Sequence, residues 1–131
     1  MKKSIIAVTL LFLVAACQPV QQESQEQLQE KAGPFPENYK QLVKDQLRVS
    51  LKDPDSVKDL VIPPPHAVKN FQGLMYGGGF EYLYATCISL NAKNSFGGYG
   101  GTEIYTVHIK NGMAYDMCKG CWENACPLVT R

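Results

Sequence analysis

Ile104-Tyr105-Thr106-Val107-His108-Ile109-Lys110-Asn111-Gly112-Met113-Ala114-Tyr115-Asp116-Met117 decides the fold of this 131-residue chain. Two runs rich in β-branched and aromatic residues flank Asn-Gly, the pair preferred in a type I′ turn because both central residues must take positive φ. The stretch predicts an antiparallel hairpin of strands 104–110 and 113–117. A plain two-residue turn sets Ile109 opposite Ala114 and Val107 opposite Asp116, so neither face is wholly apolar. Either Asp116 lies beyond the buried edge, or a bulge near the turn shifts register and brings Tyr115 and Met117 beside Val107.

Working towards the N-terminus, Phe80-Glu81-Tyr82-Leu83-Tyr84-Ala85-Thr86-Cys87-Ile88-Ser89-Leu90 is the strongest single strand: aromatic and β-branched residues without a breaker. Phe71 to Tyr76 is a weaker strand ahead of Gly77-Gly78-Gly79. Val57 to Ile62 reads as a short first strand stopped by Pro63-Pro64-Pro65, which supply no backbone donors. Before it, Tyr39, Leu42, Val43, Leu47 and Leu51 recur every three or four residues with charges between them, the pattern of an amphipathic helix over 37–51. Asp53-Pro54 ends it. The fold class expected is α+β: one amphipathic N-terminal helix packed on a small antiparallel sheet that ends in a hairpin, stapled by disulfides.

The chain divides into three parts. Met1-Lys2-Lys3 precedes the apolar run Ser4 to Ala16, too short for the roughly 20 residues of a spanning helix but typical of a secretory signal. Val14-Ala15-Ala16-Cys17 resembles the lipobox of bacterial lipoproteins, in which the cysteine is diacylglycerol-modified and becomes the mature, acylated N-terminus. The resemblance implies a signal peptide over 1–16, lipidation at Cys17 and attachment to a membrane. Gln18, where an aspartate tends to retain lipoproteins in the inner membrane, favours an outer-membrane location facing the periplasm. Residues 17–35 are rich in Gln and Glu, with only Val20, Leu28 and Ala32 apolar up to Gly33, and read as a flexible tether. A single domain with a Cys-rich tail is expected over 36–131. It is small enough for covalent staples to matter.

Charge argues against two classes of partner. Of 13 basic residues, losing Lys2 and Lys3 with the signal leaves 11 against 12 acidic ones. Such a chain has no long-range field to gather nucleic acid or anionic lipid, so neither partner is suggested.

Four cysteines remain beside Cys17: Cys87, Cys118, Cys121 and Cys126. In an oxidising compartment an even number predicts two disulfides in one of three connectivities. Closing the long loop from Cys87 removes the most chain entropy, about 3 to 4 kcal/mol in the loop-closure treatment, favouring Cys87 with Cys118 or Cys121. Cys118-Lys119-Gly120-Cys121 also has the spacing of dithiol oxidoreductases, but it follows a hairpin instead of opening a helix in a βαβ unit. Cys118, Cys121 and Cys126 have a spacing compatible with three zinc ligands, which an oxidising compartment disfavours. His66, after Pro65, and His108, within a strand, read as surface or packed side chains. No hydrolase or metalloprotease motif is present. The expectation is a non-enzymatic chain without metal or cofactor.

Asn91-Ala92-Lys93-Asn94-Ser95-Phe96-Gly97-Gly98-Tyr99-Gly100-Gly101 is the least ordinary stretch. With Leu51-Lys52-Asp53-Pro54-Asp55-Ser56-Val57 before it and Tyr105 after it, it resembles small bacterial exported proteins and lipoproteins of unassigned activity. That resemblance spans about 37–117 and implies a helix on a small antiparallel sheet, with no catalytic residues to carry over. The loop reads either as a structural device, with Phe96 and Tyr99 plugging the sheet edge, or as a binding loop. In the second reading Asn91, Lys93, Asn94 and Tyr99 offer amides, an ammonium and a ring to an envelope protein or glycan. Three functional readings follow: a lipid-anchored interaction or structural module, a periplasmic thiol-disulfide oxidoreductase using Cys118 and Cys121, and an inhibitor or exclusion lipoprotein.

Overall fold

The computed structural model describes residues 21–120. The signal segment with Cys17, and Cys121 and Cys126, lie outside the described residues. Two α-helices, α1 (Gln25–Ala32) and α2 (Tyr39–Ser50), precede strands β1 (Lys58–Val61), β2 (His66–Phe71), β3 (Phe80–Asn91), β4 (Glu103–Lys110) and β5 (Met113–Lys119). All pairings are antiparallel. The architecture is α+β, a five-stranded sheet with helices packed on it.

β3 is the axis. β4 pairs along Tyr84–Leu90, and β1 and β2 divide the strand's other edge between them: β2 takes Phe80–Ala85 and β1 the Ser89–Asn91 end. Pro63-Pro64-Pro65 lies at the division, where Thr86 Oγ1 donates to Pro63 O at 2.8 Å. The prolines do not end the sheet. They end one edge segment, and pairing resumes at once with His66, since an edge strand tolerates missing donors on its outer side. The weak strand expected at 71–76 is therefore displaced to His66–Phe71, with Leu74–Tyr76 a 3₁₀ turn.

The hairpin forms as its turn dictates, with Asn111 at φ 51° and Gly112 at φ 73°. Of the two registers, the bulged one is observed. Lys110 and Ile109 pair with Met113 and Ala114, Tyr115 is the extra residue, and His108 and Val107 pair with Asp116 and Met117. The slip moves Asp116 off the core face and puts Met117 on it.

The main core gathers Ala67, Tyr84, Ile88, Leu90, Val107 and Ile109 from the sheet and Val43 and Leu47 from α2. A smaller cluster of Val68, Leu83 and Ala85 lies on the opposite face, with Cys87 against it.

The tether expectation for 17–35 is corrected over its second half. Ser24 and Gln27 form a reciprocal capping box that starts α1. Leu28 and Ala32, one turn apart, pack against the core. Gln25 Nε2 donates to Ala67 O at 3.3 Å, and Lys31 Nζ to the Tyr82 hydroxyl at 3.3 Å. Gly33 to Phe35 is a packed joint: Tyr84 donates to Gly33 O at 2.9 Å, and the Phe35 ring meets Tyr84 and Tyr39 edge-on. Among the described residues there are thus two α-helices on the sheet where one was expected.

Candidate functional site: the glycine-rich loop and its anchor

Beyond β3 the chain makes a miniature hairpin in which Lys93 bridges Tyr99. Asn94 closes it. Its N–H donates to Gly98 O at 2.8 Å, while its Oδ1 accepts from the N–H groups of Phe96 at 2.9 Å and Gly98 at 3.1 Å. An Asn side chain bonded to the backbone two residues on is an Asx turn, a reason for Asn at this place that needs no ligand.

The hairpin is fastened to the Asp53-Pro54-Asp55-Ser56 segment. Pro54 opens a single 3₁₀ turn, Pro54–Ser56, which buries Ser56. Ser56 Oγ donates to Asp53 O at 2.7 Å and accepts from Lys93 N–H at 2.9 Å, and the Tyr99 hydroxyl donates to Ser56 O at 3.0 Å. The two segments that carry the sequence resemblance thus meet at one serine, through bonds that span 37 and 43 residues. Lys58 Nζ lies 3.7 Å above the Tyr99 ring centroid, within cation–π range, and Lys52 Nζ donates to Ser95 Oγ at 2.8 Å.

The four candidate residues separate by role. Asn94 holds the turn. Tyr99 is 43% exposed but its hydroxyl is spent on Ser56, so it is an anchor, with Lys58 and Lys93 Nζ 3.7 and 5.9 Å from its ring centroid. Lys93 is bound through its backbone and exposes its side chain. Asn91 ends β3 opposite Lys58, and its Oδ1 is buried without a hydrogen-bond partner among the described residues. Phe96 is 95% exposed, so it plugs nothing. Sequence reasoning missed Lys52, Lys58 and the hub role of Ser56. The D-P-x-S spacing, a proline-started turn ending in a hydroxyl, was the available signal.

Lys58 also borders an open cleft of about 410 Å³ between α2 and β1, lined by Lys44, Leu47, Arg48, Pro54 and Asp55 among others. Lys58 thus touches both the loop, through Tyr99, and the cleft.

The cysteines are placed differently from expectation. Cys87 pairs with Thr106 on β4, and Thr106 with Cys118 on β5. Two strand spacings, about 10 Å, separate the two cysteines. A disulfide requires Cα atoms within about 7 Å. The Cys87–Cys118 pairing is overturned, and Cys118 carries a free thiol whose Sγ is 4.0 Å from Thr106 O. Cys87 is disulfide-bonded. Cys118 lies within β5.

Neither histidine is free on the surface. His108 is buried with Nδ1 3.2 Å from Asp116 Oδ2, and His66 opens β2 with a buried Nε2 that has no partner among the described residues. No group of three His, Cys, Asp or Glu side chains among the described residues is arranged to hold a metal. None of the described helices is long and apolar enough to cross a membrane.

Comparison with protein-family models, with curated proteins and with solved structures finds no match.

Proposed function

We propose that the chain is a non-enzymatic, lipid-anchored bacterial cell-envelope lipoprotein, held by acyl chains on Cys17 in the outer membrane facing the periplasm, whose glycine-rich loop presents a binding surface to an envelope protein or glycan. The observation that carries this reading is the loop's construction. Ser56, Asn94 and Tyr99 fix its backbone, so that Phe96 and the Lys93 side chain stand exposed on a held frame. A large aromatic exposed on a pre-ordered turn loses little entropy on binding, which is what a recognition loop requires.

The lipid anchor rests on the Lys2-Lys3, apolar run and Val14-Ala15-Ala16-Cys17 sequence.

Site-specific photo-crosslinking from position 96 in intact cells tests the binding surface. A discrete adduct from that position, lost on Lys93→Ala, supports it. Equal, weak labelling from position 96 and from an exposed residue of α2 such as Val49 overturns it.

A further inference from the structure

The other end of β3 carries a second unusual surface. The β2–β3 turn, residues 71–80, contains no charged side chain. Five large apolar residues there are open to solvent: Phe71 at 54%, Leu74 at 86%, Met75 at 97%, Tyr76 at 85% and Phe80 at 59% exposure. They form a built knob. Gln72 N–H donates to Gly79 O and Tyr76 N–H to Gly73 O, both at 3.0 Å, closing the loop around the 3₁₀ turn. At its base Phe71 and Phe80 pair edge-on with centroids 5.5 Å apart, and Lys69 Nζ lies 4.4 Å over Phe80. An apolar protrusion of this size on a small domain calls for an apolar neighbour.

The entry of the chain names that neighbour. Glu23 reaches Lys69 at 3.3 Å and accepts from the Tyr82 hydroxyl at 3.1 Å. Lys69 and Tyr82 are paired two positions before the Phe71–Phe80 pair. The chain therefore joins the domain beside the knob. Cys17 is six residues upstream of Glu23, and six extended residues reach no further than about 20 Å. Because α1 is docked, only this short segment separates Cys17 from the domain, too short to carry the domain well clear of the surface that holds Cys17.

We propose that the β2–β3 knob is a second membrane contact, inserting Leu74, Met75 and Tyr76 into the interfacial layer of the bilayer that holds the Cys17 acyl chains. The inference rests on the lipid-anchor reading above. Aliphatic and aromatic side chains on an uncharged turn suit that layer, where tyrosine rings concentrate and apolar groups bury some 5–10 Å deep.

The test uses the full chain, produced in bacteria and reconstituted into phosphatidylethanolamine–phosphatidylglycerol vesicles, with a fatty-acid probe reporting acylation of Cys17. Met75→Trp is read as a difference from the native protein, whose one tryptophan is Trp122. The expected result is blue-shifted emission, protection from acrylamide and at least twofold quenching by brominated acyl chains, while Phe96→Trp at the far end keeps water-like emission. Water-like, acrylamide-accessible emission from position 75 in labelled, membrane-bound protein overturns the inference and leaves the anchor reading standing. Protection from acrylamide without bromine quenching overturns it in favour of a protein neighbour, such as a second copy. Absence of the fatty-acid label overturns the anchor reading itself. In that case, quenching at position 75 on added vesicles still supports insertion of the knob, and its absence overturns that as well.

Discussion

The Tyr99 hydroxyl donates to the main-chain carbonyl of Ser56 at 3.0 Å, and Lys58 covers the same ring at 3.7 Å. Tyr99 is therefore a fastener as well as a surface residue. Tyr99→Phe is expected to cost about 1 kcal/mol, the usual net value of one hydrogen bond. Ser56→Ala removes two bonds from a buried site and leaves the Lys93 N–H without its acceptor, at a cost of about 2 kcal/mol. Chemical denaturation of the two variants checks the order. Equal stability of Ser56→Ala and the native protein would contradict the hub.

Asn94→Ala should loosen the loop without unfolding the domain, because the bonds it removes lie within the turn. Amide exchange at Phe96 and Gly98 is expected to accelerate while that of β3 and β4 stays unchanged. Lys93→Ala should leave both stability and exchange near native values, within about 0.5 kcal/mol as for other exposed side chains.

Glu81 accepts from Lys110 and Tyr115 at 2.9 Å and from Gln72 at 3.1 Å. Burial raises its pKa, but these donors outweigh burial and hold it below the ordinary 4.5. Burial and the Glu81 carboxylate together push the Tyr115 phenol upward. A carboxylate whose folded pKa is depressed contributes stability that is full above its unfolded value. That stability is lost as pH falls through the folded one. Melting between pH 6 and pH 3 should therefore show a decline that is smaller in Glu81→Gln.

Alkylation of denatured protein without reductant is expected to modify Cys118, with Cys87 modified only after reduction. Peptide mass spectrometry reads both sites. Protection of Cys118 before reduction would restore it to a disulfide.

Cys17→Ser should abolish fatty-acid labelling and leave uncleaved precursor, as expected if lipid addition precedes cleavage at a lipobox. Labelling of the variant equal to that of the native chain would remove the anchor.

The hairpin was legible because its turn depends on two adjacent residues, Asn111 and Gly112, whose φ requirements are local. Its bulge was legible only as one of two alternatives, since choosing required knowing that Val107 faces a core which Asp116 cannot enter. α1 was missed because two apolar residues, Leu28 and Ala32, are too few to mark a stripe. Its docking depends on Tyr82 and Ala67, far away in sequence. The S-x-x-Q capping box at Ser24 and Gln27 was the local sign. β2 was hidden by three prolines that would disrupt a central strand but are harmless between two edge segments. In the loop, residue types pointed to the right place but not to the division of labour, which is set by Ser56 across a separation of 37 residues or more.

The division of β3's outer edge by Pro63-Pro64-Pro65 bears on how copies of the domain tolerate one another when confined to two dimensions. A strand edge offers a row of open donors and acceptors onto which a neighbour's strand can add. Here that row is cut into β1, four residues with a left-handed Asp59 at φ 56°, and β2, six residues, with donorless prolines between them. On the opposite margin, β5 is kinked by the Tyr115 bulge and carries Asp116 and Lys119. Among the described residues neither margin presents a long straight template, so copies brought close together would find no continuous edge there through which to polymerise.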